Sequence, residues 1–129
     1  MIKILVIEDK DDHRKILCDM LRAEGYEILE ASNGKQALDV LKQERNVDLI
    51  TLDEKMPVMT GLECLGQIRE NEATRDIPVV FVTVYRKPEI EKLADEGISM
   101  ILKPYNYREF LEAVKSALKK RLQQSAKAR

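Results

Sequence analysis

The sequence predicts an α/β fold in which one five-stranded parallel sheet carries helices on both faces. Five short apolar runs alternate strictly with five segments whose apolar residues recur at helical spacing. The fourth run, residues 79–84, is apolar on both faces, which is typical of a central strand that is covered on each side. Four of the runs end at polar residues, as expected where parallel strands meet a functional site.

The strands are predicted from runs of β-branched and aliphatic residues. They cover residues 2–7, 26–31, 47–53, 79–84 and 98–102. The third run stops at Asp53, and Pro57 prevents a helix from beginning at once, because proline has no N–H and biases its predecessor towards extended conformations. Strict alternation of strands and helices favours the flavodoxin-like order 2-1-3-4-5.

The helices are predicted from one apolar face and from residues that begin or end helices. Asp11 or Asp12 is expected to cap the first helix and Gly25 to end it, while Pro88 begins the fourth and Gly97 ends it. The fifth helix is expected from about residue 106 to about residue 123. The inward residues are, in chain order, Ile16, Leu17, Met20 and Leu21; Ala37, Leu38 and Leu41; Leu62, Leu65 and Ile68; Ile90, Leu93 and Ala94; and Phe110, Leu111, Val114, Ala117 and Leu118.

The composition indicates one folded domain. The chain has 129 residues, of which 44% are hydrophobic and 35% charged, so it can bury a core. A net charge of -1 argues against nucleic-acid binding, and no run is long enough to span a membrane. Without a signal-peptide pattern or a disulfide framework, we expect a cytoplasmic protein. Residues 1–122 are predicted to form the domain and residues 123–129 a basic tail, with the start of a linker as the alternative.

Polar side chains at the ends of four strands are predicted to converge. Glu8 and Asp9 follow the first strand, and Asp53 ends the third. Thr83 lies near the end of the fourth strand and Lys103 follows the fifth. Since these strands are neighbours about 4.8 Å apart in the expected order, we expect one shallow site at the switch between strands 1 and 3.

Three carboxylates at this range repel one another. At ~5 Å and an effective dielectric constant of ~20 each pair costs ~3 kcal/mol, so the carboxyl groups must take up protons or recruit a cation. Oxygen ligands in a small space suit Mg²⁺ that retains several waters. A metal, the Lys103 ammonium and the Thr83 hydroxyl would stabilise a phosphoryl group, and an aspartate can accept one covalently. The pattern therefore predicts phosphoryl transfer to Asp53.

The chain resembles the response-regulator receiver domains of two-component signalling over essentially its whole length. The matching stretches are Ile4-Leu5-Val6-Ile7-Glu8-Asp9, Asp53 with Met56-Pro57 and Gly61-Leu62-Glu63, Val82-Thr83, and Lys103-Pro104. The resemblance implies a phosphorylation-controlled switch in which Asp53 accepts a phosphoryl group from a sensor histidine kinase or phosphotransfer protein and partner binding changes. The resemblance also implies that the protein is not an enzyme, apart from catalysing its own phosphorylation and dephosphorylation.

The same resemblance implies the cofactor and the roles of the site residues. Mg²⁺, with Mn²⁺ as an alternative, would be held by Glu8, Asp9, Asp53 and the backbone carbonyl of Lys55. Thr83 and Lys103 would contact the phosphoryl group. The Lys55 ammonium would reach the phosphoryl group, replace part of the metal's charge or remain solvated.

Three positions depart from the commonest pattern of the family, and Lys55, two residues after Asp53, is one of them. Val84 stands where a small residue is usual, and we expect it to narrow access to Asp53. Met100 replaces the usual aromatic switch residue, so the readout is expected to rest on backbone shifts or on Tyr85. The family implies an unidentified downstream partner, an output domain or a homodimer at the face of helix 4, strand 5 and helix 5. The candidates for this surface are Tyr85, Ile90, Met100 and Tyr105.

Three other functions compete with this interpretation. The main alternative is a receiver-like interaction module that works without phosphorylation. A hydrolase with an aspartyl-phosphate intermediate would want a second aspartate where Lys55 stands. A flavin or nucleotide site is disfavoured because the acidic residues after the first strand would repel phosphate.

Overall fold

Five parallel strands form one sheet. They are β1 (Lys3–Ile7), β2 (Glu27–Ala31), β3 (Leu49–Leu52), β4 (Val79–Thr83) and β5 (Ile98–Leu102). Their order is β2-β1-β3-β4-β5, which confirms the prediction. This computed structural model describes the backbone of residues 1–128 and the side chains of residues 1–94 and 96–123. The register sets Ile7 beside Leu52 and Thr83 beside Leu102, so β1, β3, β4 and β5 end at one edge.

Five α-helices connect and flank the strands. They are α1 (Asp11–Ala23), α2 (Gly34–Gln43), α3 (Gly61–Glu70), α4 (Pro88–Glu91) and α5 (Tyr107–Ala128), and a 3₁₀ turn covers Ala94–Glu96. Asn33 caps α2 by accepting the Gln36 N–H at 2.8 Å. Thr60 and Glu63 form a capping box on α3, in which each side chain accepts the other's backbone N–H.

Helices cover both faces of the sheet, and each face has its own apolar core. The first core lies under α2, α3 and α4 and includes the fully buried Phe81. The second lies under α1 and α5 and includes the fully buried Phe110. Burial on both faces explains why β3 and β4 consist of apolar residues apart from Thr51 and Thr83.

The start and the inward face of α1 differ from the prediction. Asp11 and Asp12 lie within the first helical turn, where their negative charges interact favourably with the positive end of the helix dipole. Lys10 occupies the N-cap position, and its side chain makes no capping hydrogen bond. The buried residues are Leu17, Cys18 and Leu21, whereas Ile16 is 54% exposed. The predicted apolar face of α1 was therefore shifted by one residue, because the small Cys18 was not counted among the core residues.

The fourth helix is shorter than predicted. It ends at Glu91, and the chain continues through N–H to C=O bonds between residues three apart, from Leu93 to Ile90 and from Glu96 to Leu93. Ile90 is buried, but Leu93 is half-buried and Ala94 exposed, so the apolar stripe is too short to hold a longer helix. Gly97 ends the segment with a φ of 78°, as its position suggested.

The last helix is longer than predicted, because α5 continues to Ala128. Apart from Gln123, the side chains of the predicted basic tail lie outside the described residues, and the boundary at residue 122 stays a prediction. Among the described residues, no helix combines the length and the apolar character needed to cross a membrane.

Candidate functional site

Three carboxylates meet where β1 and β3 end. Glu8 and Asp53 are 1% and 6% exposed, and the Asp53 N–H donates to the Ile7 carbonyl at 3.2 Å. Glu8, Asp9 and Asp53 each present an oxygen, and these oxygens lie within 4.8 Å of one another. The parallel register thus brings together the carboxylates that the sequence placed at strand ends.

Lys103 brings a positive charge to these carboxylates. Its Nζ lies 2.6 Å from Glu8 Oε1 and 3.4 Å from Asp53 Oδ2, and its side chain is only 12% exposed. The Lys103 backbone N–H donates to the Thr83 carbonyl at 2.8 Å, which ties the end of β5 to the end of β4. In this arrangement the ammonium partly neutralises Glu8 and Asp53 together.

Two residues that sequence reasoning missed support this cluster from α1. The Arg14 guanidinium donates to the Glu8 carbonyl at 2.9 Å and also pairs with Asp11 and Glu30, so it fixes the loop after β1. His13 Nδ1 lies 3.5 Å from Lys103 Nζ. The sequence did show basic residues one helical turn after an acidic loop. It did not show which residues on other elements these basic side chains would contact.

The cluster has unsatisfied oxygens that fit a metal ion. Asp9 Oδ1 and Asp53 Oδ1 are buried and accept no hydrogen bond from the described residues. Burial, and then the neighbouring Glu8, raise the pKa of Asp9 above its usual value. Buried carboxylate oxygens without donors call for a cation, and an all-oxygen set suits Mg²⁺.

Thr83 lies at the end of β4 with a hydroxyl that can still donate. The side chain is fully buried, and its Oγ1 accepts the Tyr85 N–H at 3.5 Å. Because a hydroxyl both accepts and donates, its hydrogen remains available to an oxygen in the site. Val84, next along the chain, is 54% exposed.

An apolar hollow of about 420 Å³ adjoins the site. Val84 and Lys103 line it on the side of the carboxylates, and Ile16 and Tyr107 on the side of α1 and α5. Ile16, Val84 and Tyr107 are each about half exposed, so this apolar surface is open to a partner.

Lys55 lies in the exposed loop after Asp53. Its Nζ is 5.6 Å from the centre of the Tyr85 ring, within the range of a cation–π contact. Lys55 is exposed, as expected for a solvated lysine, and its ammonium lies beside the segment after β4. Its other two roles, towards the phosphoryl group and the metal charge, stay predictions.

The loop between β3 and α3 contains a strained turn. Val58 has a φ of 74°, and the Met59 N–H donates to the Pro57 carbonyl at 2.8 Å across it. Such γ-turns are rare, and a β-branched residue at positive φ is costly. The strain lies a few residues from Asp53, where strained backbone often accompanies function.

The four candidates for a partner surface do not share one exposed face. Ile90 is 1% exposed and Met100 half-buried, and both pack in the first core. Tyr105 packs on the opposite side of the sheet, with its ring centre 5.5 Å from that of Phe110. Tyr85, 52% exposed, is the only one of the four that is mainly exposed.

The two cysteines have no role in this site. Both are buried, and burial raises the pKa of the Cys18 thiol to about 12 and that of Cys64 to about 11. Neither would form a reactive thiolate at neutral pH.

Comparison with known proteins gives consistent matches over most of the chain. The family model for the response regulator receiver domain matches residues 4–115. The polar-differentiation response regulator DivK of Brucella anthropi is 33% identical over 117 residues, which cover 89% of this chain and 94% of the relative. Two solved structures are also similar. Response regulator TrrA of Thermotoga maritima, solved with Mg²⁺ and BeF, has a TM-score of 0.78 at 35% identity and covers 91% of this chain and 99% of its own. Chemotaxis protein CheY4 of Vibrio cholerae has a TM-score of 0.82 at 28% identity, with 91% and 98% covered.

Proposed function

Because the chain belongs to the response regulator receiver domain family, we propose that it is a signalling switch controlled by phosphorylation of Asp53. The observation that carries the proposal is the buried Asp53 carboxylate, whose Oδ1 has no hydrogen-bond partner among the described residues and which lies beside two other carboxylates and the Lys103 ammonium. Residues 1–122 would form the receiver domain, and its donor would be a sensor histidine kinase or phosphotransfer protein.

The chemistry is transfer of a phosphoryl group between oxygen and nitrogen. A carboxylate oxygen of Asp53 attacks phosphorus, a new O–P bond forms, and the P–N bond of the donor phosphohistidine breaks to release the imidazole. In dephosphorylation, water attacks phosphorus, and the Asp53 carboxylate and inorganic phosphate are released. The signal is therefore carried by a reversible acyl phosphate on Asp53.

The neighbouring residues stabilise the negative charge that arrives with the phosphoryl group. Glu8, Asp9, Asp53 and the Lys55 carbonyl would hold Mg²⁺, which when bound screens the phosphoryl oxygens. The presence of Mg²⁺ and BeF in the TrrA structure supports this choice of metal. Lys103 is within reach to exchange its bond with Asp53 for one with a phosphoryl oxygen, and the Thr83 hydroxyl to donate to another.

The direct test uses a small phosphodonor, so that no cognate kinase is needed. Wild-type protein is incubated with acetyl phosphate and Mg²⁺, and its intact mass is measured. We expect the mass of one added phosphoryl group, and none when EDTA removes the metal. An unmodified wild-type protein under these conditions would contradict the proposal.

Asp9→Asn is expected to stabilise the metal-free protein at neutral pH and to abolish most of its response to Mg²⁺. The raised pKa of Asp9 means that ionised Asp9 opposes folding; this penalty is absent below the unfolded pKa and complete above the raised one. For wild type, Mg²⁺ at tenfold its dissociation constant should add about 1.4 kcal/mol to the free energy of unfolding. Urea unfolding with and without Mg²⁺ measures both effects.

The matched control for Asp9→Asn is Asp39→Asn, which changes an exposed acid on α2. It should leave the Mg²⁺ response of the wild type intact. A full Mg²⁺ response in Asp9→Asn would exclude Asp9 from the metal site.

Val84→Ala is expected to shorten the lifetime of the phosphorylated protein several-fold. Val84 lines the hollow beside Lys103, and a smaller side chain gives water easier access to the acyl phosphate. The decay of the intact-mass adduct is followed after the donor is removed. Leu122→Ala, at an exposed apolar residue of α5, is the control, and equal decay in both variants would count against a gate at Val84.

The phosphodonor protein is proposed to dock on the apolar hollow. Its lining reaches from Lys103 to α1 and α5, so a protein seated there would bring its phosphohistidine next to Asp53. The exposed Ile16 lines the hollow on the α1 side and is not one of the three carboxylates of the cluster.

Ile16→Asp is expected to slow transfer from a phosphodonor protein by roughly tenfold, as for loss of a central interface contact, and to leave labelling by acetyl phosphate unchanged. Transfer is measured with a purified histidine phosphotransfer protein that labels the wild type. Leu122→Asp places the same charge on an exposed residue outside the hollow. If both variants accept the phosphoryl group at the wild-type rate, the donor docks elsewhere.

A further inference from the structure

The residue after Asp53 is a buried acid that joins three segments of the chain. Glu54 is 2% exposed. Its Oε1 accepts the N–H of Leu62 in the first turn of α3 at 2.7 Å, and its Oε2 accepts Lys87 Nζ at 2.5 Å. A carboxylate removed from water is costly unless its oxygens are partnered, and here both are. Glu54 therefore bonds the loop after β3 to α3 and to the segment before α4.

Glu54 cannot move independently of Asp53. The two residues share a peptide bond, and the Gly61 N–H donates to the Glu54 carbonyl at 2.9 Å. The backbone of this pair is thus held against the start of α3, close to the carboxylate cluster. A change in position or charge at Asp53 acts on Glu54 directly.

Lys87, the other member of the ion pair, lies in a segment that has little stabilising structure of its own. It occupies the cap position of α4, where no side chain caps the helix, and α4 has only four residues. Helices this short are not stable alone, so tertiary contacts must hold them. Among the described side chains, the buried Ile90 and the bond from Lys87 to Glu54 provide such contacts. That hydrogen bond raises the pKa of Lys87, which keeps its charge.

We propose that the Glu54–Lys87 ion pair couples the state of Asp53 to residues 84–96, a proposal that rests on phosphorylation of Asp53. A phosphoryl group carries a charge of about -1.5 to -2 at pH 7, and this charge would arise one residue from Glu54. The added negative potential attracts the Lys87 ammonium more strongly and tightens the segment that it anchors. The exposed Tyr85 lies in this segment, so a downstream partner could recognise the change.

Hydrogen exchange of the full chain tests this coupling. Amide exchange across residues 84–96 is measured by mass spectrometry with and without acetyl phosphate and Mg²⁺, and the adduct is quantified in the same samples. In wild type we expect exchange to slow roughly fivefold on phosphorylation, at the lower end of coupling between two sites. Glu54→Gln keeps an acceptor for the Leu62 N–H, and Lys87→Met keeps the aliphatic stem. Both should form the adduct to the wild-type extent and lose the slowing.

The matched control is Arg86→Met, which removes the adjacent cation. Arg86 pairs with Glu91 at the surface, 3.4 Å away, and should keep the wild-type slowing. If Glu54→Gln does not fold, Lys87→Met decides alone. A wild type without an adduct would overturn phosphorylation and this coupling together. An adduct with equal slowing in wild type, Lys87→Met and Arg86→Met would overturn only the coupling.

Discussion

Asp53→Asn is expected to take up no phosphoryl group from acetyl phosphate, whatever the Mg²⁺ concentration. An amide oxygen is a much weaker nucleophile than a carboxylate, and a phosphorylated amide would not form under these conditions. The substitution keeps the shape of the side chain and removes one of three crowded negative charges, so the fold should be at least as stable as wild type. Intact-mass spectrometry measures the adduct and thermal unfolding the fold.

The control for this experiment is again Asp39→Asn, which should be labelled like the wild type. An adduct on Asp53→Asn would mean that another carboxylate accepts the phosphoryl group, and peptide mapping would identify it among Glu8, Asp9 and Glu54. A wild type that binds its partner equally well without any adduct would favour the phosphorylation-independent interaction module.

The strands and their order were predictable because they depend on features that a sequence displays directly. A strand buried on both faces must be largely apolar, as β3 and β4 are apart from Thr51 and Thr83, and alternation with helices leaves few topologies. The meeting of Glu8, Asp9 and Asp53 follows from the same topology, because the ends of neighbouring parallel strands share an edge. In such cases the backbone alone determines which side chains are close.

The features that were missed depend on loops and on side-chain partners far apart in sequence. Nothing local to Glu54 indicates that Lys87, on the segment after β4, would neutralise it. Similarly, the direction of the chain after β5 decides that Tyr105 packs with Phe110 rather than beside Met100. The length of α4 was overestimated because Pro88 and Gly97 mark boundaries but do not report how few apolar contacts lie between them.

Gly61→Ala is expected to lower the free energy of unfolding by about 3 kcal/mol, the upper end of the usual cost of overpacking. A Cβ on Gly61 would lie 2.5 Å from the Asp53 carbonyl oxygen and 2.9 Å from Glu54 Cα. These are backbone atoms that cannot rotate away, and the Phe81 ring lies 2.9 Å away on another side. Relief requires α3 or the Asp53–Glu54 peptide to shift, so labelling of Asp53 by acetyl phosphate should also slow.

Gly66→Ala provides a control with the opposite sign in the same helix. A Cβ on Gly66 would meet nothing within 4 Å, so alanine should stabilise the protein by roughly 0.5–1 kcal/mol through its helix propensity. Urea unfolding of the two variants and wild type measures both values, and acetyl phosphate labelling shows whether Asp53 is displaced. If Gly61→Ala were as stable and as readily labelled as Gly66→Ala, the contact between Gly61 and the backbone of Asp53 and Glu54 would not be rigid. Changes of opposite sign in the free energy of unfolding would instead mean that close packing at Gly61, rather than helix propensity, decides the effect of the substitution. Slower labelling of Gly61→Ala would then show that this packing fixes the position of Asp53.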